Sequence, residues 1–335
     1  MSEGLRVAIV GCGLIGRKRA EALPDADELI AVHDVSTEAA ASLAGDFGCP
    51  ADETLEGLLE RRPDVVIVAA THNQLPPISI AALEAGAHVL VEKPAGISVA
   101  DIDRVADAAR AAERLVKVGF NHRFHPAIER AVAEAHSGRF GDLMFARARY
   151  GHGGRLGYEK EWRMQPEISG GGELIDQGMH VLDIFHWLAG PLPLHSALMR
   201  TQFWDAPVED NAVLTLAEPG SRDGVWATAH VTWTEWKNLF SLEIYCRTGK
   251  LQVDGLARSY GSQKLTIYKM LPELGPPETE VIEYPAEDVS WAKEWEHFRE
   301  AILAGDGREL RGDLASARYA WECVERAYEL NGWER

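Results

Sequence analysis

Apolar positions along the first 120 residues fall into short runs separated by mixed segments, which is how strands and helices read when they alternate. Leu5 to Val10 (LRVAIV) is one such run. G-C-G-L-I-G and a charged, alanine-bearing stretch from Arg17 to Leu23 follow it, which predicts strand, turn and helix. The next run, Leu29 to Val32, ends in His33 and Asp34, and Ser36 then caps a helical stretch, S-T-E-A-A-A-S-L-A. Val65 to Ala70, a helix around Ile78 to Ala85, His88 to Val91, a helix from Ser98 to about Ala112, and Leu115 to Gly119 continue the alternation. Repeated βα units with β-branched strands imply a parallel sheet covered by helices on both faces.

Beyond about Phe124 strand-like runs succeed one another with few helices between: Leu143 to Tyr150, Leu194 to Phe203, Ala212 to Leu216, Val225 to Trp233, Leu239 to Cys246 and Leu265 to Met270. They predict an antiparallel sheet. One helix, about Leu174 to Leu188, interrupts it, and two more, Trp291 to Ala304 and Asp313 to Leu330, close the chain. The acidic, proline-bearing stretch Leu271 to Glu283 reads as a loop or edge hairpin.

Composition narrows the function. The chain has 335 residues, 46% of them hydrophobic, enough for two domains of ordinary size. A formal charge of -18, from 52 acidic against 34 basic residues with no long basic run, would repel nucleic acid and anionic membranes, so a small-molecule substrate is expected instead. Cys12, Cys49, Cys246 and Cys323 form no C-x-x-C pair, so neither zinc nor a disulfide framework is indicated. The apolar run at residue 5 leaves no room for a signal peptide, and no run approaches the ~20 residues of a membrane helix; a cytoplasmic protein is expected.

In G-C-G-L-I-G, Gly11 would permit the tight turn, Gly13 would let the backbone approach a pyrophosphate, and Gly16 would let helix and strand pack closely. The phosphates would sit at the helix N-terminus. Asp34, at the end of the second strand, answers this turn as the acid that accepts both ribose hydroxyls. A carboxylate there would repel the 2'-phosphate of NADP, so NAD is favoured, although Arg17 or Lys18 could reach the area.

Lys93, in V-E-K-P, would emerge at the carboxyl edge of the parallel sheet, where a cation could stabilise a developing alkoxide or bind a substrate hydroxyl; a surface lysine is the alternative. In G-G-G-E-L-I-D-Q-G-M-H-V-L-D, Asp176 and His180 are four apart on one helix face, with Glu173 and Asp183 a turn to either side and apolar residues nearly all round. Buried acids and histidines need partners or a task. A satisfied core histidine and a capping network remain open, and a metal is not expected, because no second histidine repeats at ligand spacing. Between these motifs, G-H-G-G-R-L-G-Y-E-K-E-W-R (Gly151 to Arg163) reads as a substrate loop. Tyr158 and Trp162 could stack on a sugar, and Arg155, Lys160 and Arg163 could bind an anion or the cofactor; a plain surface loop is the alternative. Trp226, Trp233 and Trp236 read as sheet-face packing or a subunit contact.

These residues together resemble the Gfo/Idh/MocA oxidoreductase family, through V-G-C-G-L-I-G, A-L-E-A-G-A-H-V-L-V-E-K-P, G-F-N-H-R-F-H-P and G-G-G-E-L-I-D-Q-G-M-H-V-L-D in order over nearly the whole chain. The resemblance implies an NAD-binding Rossmann domain over residues 1–121. Residues 122–335 would form an α+β domain with a large, open, mostly antiparallel sheet that commonly pairs subunits as dimers or tetramers, the last helices packing back on the Rossmann domain. It implies a catalytic group of Lys93, Asp176 and His180: His180 as acid/base, Asp176 orienting it or the substrate, Lys93 polarising the reacting oxygen, with a cis peptide before Pro94. Leu14 and Ile15 of the glycine turn, with Thr71, Asn73 and Glu92, would contact the cofactor, and Arg123 the substrate. One departure stands out: T-H-N-Q-L-P-P has Pro76 where relatives often carry a histidine. The activity implied is NAD-dependent oxidation or reduction at a secondary alcohol or ketone of a sugar, cyclitol or nucleotide-linked sugar. A redox-neutral glycosidase or epimerase holding NAD, and a non-catalytic nucleotide sensor, are the alternatives.

Overall fold

The structure is a computed structural model, and it describes residues 4–273, 275–305 and 310–333. The chain forms two compact units, one of Met1–Asn121 with Trp291–Arg318 and one of His122–Ser290 with Tyr319–Arg335.

In the first unit β1 (Arg6–Val10), β2 (Glu28–His33), β3 (Val65–Val68), β4 (His88–Val91) and β5 (Val116–Val118) form a parallel sheet in the order β2-β1-β3-β4-β5. The crossovers run through α1 (Leu14–Glu21), α2 (Thr37–Phe47), α3 (Leu55–Glu60), α4 (Leu75–Glu84) and α5 (Val99–Ala112). Ser36 and Ser98 cap α2 and α5 by accepting from Ala39 N and Asp101 N. The short α3 was not expected from the apolar pattern, although Thr54 caps it through Gly57 N. Val7, Ile9, Val65, Ile67 and Leu90 form the core, joined by Trp295 and Phe298 from the helix Ser290–Ala304. Burying two such aromatics, at about 2–3 kcal/mol each, is what ties this late helix to the first unit.

The second unit holds β6 (Leu143–Gly151), β7 (Leu194–Arg200), β8 (Asn211–Ala217), β9 (Trp226–Thr232), β10 (Leu239–Cys246), β11 (Gly249–Asp254), β12 (Lys264–Lys269) and β13 (Glu278–Glu283). They form one sheet in the order β13-β12-β11-β10-β6-β9-β8-β7, antiparallel throughout except for the β6–β9 pair. The fold class is thus a Rossmann domain followed by an α+β domain with a large, mostly antiparallel sheet. β13 is an exposed edge strand, within the stretch read as loop or hairpin. Helices α6 (Pro126–His136), α7 (Pro166–Ser169) and α8 (Met179–Ala189) complete the unit, with α6 packed on β10 to β12 and α8 on β6. α6 is a second helix the pattern did not predict; Pro126 opens it at a position where proline's missing N–H costs nothing. α9 (Ser290–Ala304) and α10 (Leu314–Asn331) end the chain.

The helix expected over 174–188 begins differently: Leu174–Gly178 is π-helical and only Met179–Ala189 is α-helical. Wider turns of this kind concentrate at functional sites.

Candidate active site

The first unit builds a nucleotide cradle at the end of β1. Gly11 sits at φ +97° and donates from its N–H to His33 O at 2.9 Å; a Cβ there would lie 2.4 Å from Ala69 O. A Cβ on Gly16 would fall 1.9 Å from Gly11 O, so only glycine lets α1 press this closely on the turn. Gly13 has open space around it, α1 starts without a side-chain cap, and the neighbouring Leu14 is 72% exposed while Ile15 is half-buried. The backbone N–H groups of that first turn are therefore available to an anion, as a pyrophosphate requires. Asp34 is held by both oxygens: Oδ2 accepts from Cys12 N at 2.6 Å and Oδ1 from Ser36 N at 2.8 Å. Burial, with the Asp34 charge beside it, pushes the Cys12 thiol up to about 12, so this cysteine stays protonated.

Along the edge of the same sheet, Thr71 Oγ1 donates to Asn73 Oδ1 at 3.0 Å in a short 3₁₀ turn. Pro76 is buried and packs beside Gly96, where a Cβ would lie 3.1 Å from the proline ring. Lys93 is half-buried and precedes a cis peptide to Pro94. Glu92, expected at the cofactor, is instead committed to a buried ion cluster. Arg19 of α1 donates from Nε to Glu92 Oε1 at 2.7 Å and from Nη1 to Glu294 at 2.6 Å; its Nη2 lies 2.5 Å from Glu92 Oε1 as an ion pair, and Lys117 is 3.6 Å from the other Glu294 oxygen. Burial raises the Glu92 carboxyl above its ordinary range and the Arg19 charge opposes it.

The second unit carries Asp176 and His180. The loop Gly170–Glu173 passes so close to its neighbours that a Cβ on Gly171 would meet Tyr328 Oη at 1.9 Å and one on Gly172 would meet Glu209 O at 2.0 Å. Glu209 is fully buried. Its carboxylate accepts from Gly172 N at 3.1 Å, Leu174 N at 3.0 Å and Tyr328 Oη at 2.5 Å, which anchors the start of the π-helical turn. Burial lifts this carboxyl to about 7 against those bonds. Past the anchor come Asp176, with Arg163 Nε 3.8 Å from its Oδ2, and His180, only 6% exposed. The ring of His122 stacks on His180 at 3.8 Å and 25°, and His122 Nε2 lies 3.1 Å from Tyr150 Oη. Tyr260 Oη accepts from Gln177 Nε2 at 2.9 Å. His122, Tyr150, Gln177, Glu209 and Tyr260 were missed by the sequence reading. His122 lay within the G-F-N-H-R-F-H-P motif and Gln177 within the glycine-rich one, but Tyr150, Glu209 and Tyr260 carried no local signal.

The expected substrate residues divide. Tyr158 does not present a stacking face: it is 4% exposed and packs with Met164, Trp204, Val208 and Trp233, because burying its ring closes a small apolar cluster under the loop. Arg123 is likewise buried and grips Asp183 with two bonds, 2.8 Å from Nε and 2.7 Å from Nη2, so its fork is already matched to a carboxylate. Arg163 stacks over half-buried Trp162 at 4.6 Å, and exposed Arg155 pairs with Glu161 at 2.5 Å. Of the three tryptophans read as packing or contact, Trp233 is buried in that cluster, while Trp226, stacked on Phe145 at 4.6 Å, and Trp236 are exposed. Among the described residues no group of three or more His, Cys, Asp or Glu could hold a metal, and no helix is long and apolar enough to cross a membrane.

Comparison with known proteins agrees with these two halves. The family model for the "oxidoreductase family, NAD-binding Rossmann fold" matches residues 5–120, and that for the "GFO/IDH/MocA C-terminal domain" matches residues 128–252. A dTDP-3,4-didehydro-2,6-dideoxy-alpha-D-glucose 3-reductase of Streptomyces violaceoruber is 32% identical over 249 residues, 71% of each chain. A D-glucoside 3-dehydrogenase of Escherichia coli K12 is 32% identical over 196 residues, 56% of this chain and 55% of the relative, so that alignment spans little more than half the relative's length. The crystal structure of an aldose-aldose oxidoreductase from Caulobacter crescentus has the same fold, with a TM-score of 0.83 at 24% identity over 99% of this chain and 98% of that one. With its first unit an NAD-binding Rossmann domain and its second matched by the companion model, the chain belongs to the Gfo/Idh/MocA oxidoreductase family.

Proposed function

We propose that this protein is an NAD-dependent oxidoreductase that moves a hydride between nicotinamide and a secondary alcohol or ketone of a sugar, cyclitol or nucleotide-linked sugar. The observation that carries this reading is the setting of His180, a nearly buried imidazole following a glutamate-anchored π-helical turn that also bears Asp176. NAD supplies the hydride acceptor when bound. The α1 N-terminus receives its pyrophosphate beside Gly13, and Asp34, already aligned by Cys12 N and Ser36 N, accepts the ribose hydroxyls and disfavours a 2'-phosphate.

In the oxidative direction a ring nitrogen of His180 takes the proton of the substrate hydroxyl, Asp176 and Arg163 orient the sugar, and the Lys93 ammonium stabilises the negative charge that develops on oxygen. Trp162 and Arg155 remain candidates for contacts to the rest of the substrate. Thr71 and Asn73 line the cofactor side. Arg123 and Tyr158 serve as packing and ion-pair supports. The relatives' names, a glucoside 3-dehydrogenase and a deoxyhexose 3-reductase, support a sugar secondary alcohol as the reacting group.

We further infer a cytoplasmic homodimer or homotetramer. The open face of the large sheet is the contact: Leu198, Val213, Trp226 and Val281 are 38% to 54% exposed there, between the ion-paired Arg147, Glu243 and Lys250. The test is to mix the protein with NAD and a panel of glucosides, nucleotide sugars and inositols and follow reduced nicotinamide. One substrate should be oxidised, and Lys93→Ala and His180→Ala should each abolish oxidation while NADH still binds. Full activity in both variants overturns the role assignment.

A further inference from the structure

Tyr260 lies on the connection between β11 and β12, and the backbone that delivers it is strained. Ala257 is fully buried at φ +68°, ψ 176°, a region open essentially only to glycine, and Arg258 follows at φ +50°. Gly255 and Gly261, at φ +79° and +84°, bracket the pair. Such a distortion persists only where the surroundings over-determine it. Here the surroundings are a hydrogen bond to Tyr260 and the rings packed against it. The Tyr150 and Tyr260 rings lie 5.4 Å apart, and Gln177 Nε2 donates to the Tyr260 oxygen at 2.9 Å. Tyr150 Oη shares a hydrogen bond with His122 Nε2 at 3.1 Å. His122 in turn covers the face of His180. Phe240 closes the box, edge-on to Tyr150 at 5.4 Å and to His122 at 6.0 Å.

We propose that Tyr260, Tyr150 and His122 are positioning residues for His180: a run of packed rings, imidazole against phenol against phenol, that starts on the His180 face and ends on the strained loop. Taken alone, an imidazole on a helix turns about its outer torsion with little resistance. Held against a ring that is itself fixed by a bond at Nε2, it has one plane, and a proton acceptor with one plane meets the substrate hydroxyl in one geometry. This inference rests on the reading of His180 as the acid/base.

The test uses the full chain labelled with ¹⁵N-histidine and the variants Tyr150→Phe and Tyr260→Phe, which remove one oxygen each and keep the rings. His122→Asn and His180→Asn assign the imidazole signals. Expected are shifts of both His122 and His180 ring nitrogens in each variant, a fall in kcat of roughly five- to twentyfold, less than about a twofold change in KM, and unchanged NADH binding and melting. Ring signals that stay in place, or kcat within about twofold of the parent, overturn the proposal. A raised KM at unchanged kcat also overturns it, since the tyrosines would then be substrate contacts. Should no sugar be oxidised at all, the ring signals still decide the positioning, so its failure and that of the proposed activity are separable.

Discussion

Glu209 offers a prediction in which sign and size both follow from the structure. Its carboxyl is fully buried, with a value raised from 4.5 to about 7 by burial. The folded state therefore binds a proton that the unfolded state releases between those values, and the group's contribution to stability is fully present below 4.5 and is lost as pH rises through 7. Between pH ~5.5 and ~8.5 the loss amounts to about 2 kcal/mol. Glu209→Gln removes that dependence. The amide oxygen can keep Gly172 N and Tyr328 Oη, but its NH₂ then faces the Leu174 N–H, donor against donor, which costs about 1–3 kcal/mol at every pH. The variant should be clearly less stable than the parent near pH ~5.5 and approach or pass it near pH ~8.5. Urea unfolding followed by tryptophan emission at a series of pH values reads the difference. A parent–variant gap that does not change with pH would refute the argument, and a gap that widens with pH would show its sign to be wrong.

Three other outcomes can be checked. Asp34→Ala should raise the NADP/NAD ratio of kcat/KM roughly 10- to 100-fold, because a charge that opposes the 2'-phosphate is gone; steady-state kinetics with both cofactors would show an unchanged ratio if Asp34 has no such role. Arg19→Met leaves Glu92 and Glu294 buried without their shared cation and should destabilise the first unit by about 3–5 kcal/mol in urea melts, whereas a cost under about 1 kcal/mol would mean the cluster is not held by charge. Ala257→Gly releases a backbone strain of about 1–3 kcal/mol against roughly 0.5–1 kcal/mol of added chain entropy, so the melting temperature should hold or rise; a clear drop contradicts the strain.

What could be read before folding was local. Gly11, Gly16 and Asp34 announce the nucleotide turn because a glycine-rich strand-to-helix junction and its answering acid are written in one βαβ segment. The parallel sheet followed from runs of buried β-branched residues, and most of the second sheet from alternation. Contacts that close over long stretches of chain were not legible. Glu209 reaches Gly172 across 37 positions, Arg123 reaches Asp183 across 60, and Gln177 reaches Tyr260 across 83. Nothing at either end of such a pair marks the other. Tyr158 illustrates a different limit. A loop rich in glycine, aromatics and arginine predicts ring contacts, but whether a ring faces a ligand or closes a cluster depends on Trp204 and Trp233, which arrive from elsewhere in the chain. The π-helical start of the segment bearing Asp176 was hidden for the same reason, since the acceptor for Leu174 N is Glu209 and not a residue of the helix itself.

The central claim is a hydride passed between a sugar carbon and nicotinamide with His180 taking the proton. The most direct measurement is a turnover of the active panel substrate deuterated at the reacting carbon, with the cofactor recovered and weighed by mass spectrometry. The account predicts one deuterium on the reduced nicotinamide with the parent protein and none with His180→Ala. Consumption of the labelled substrate without deuterium reaching nicotinamide, or equal transfer in the variant, would contradict it.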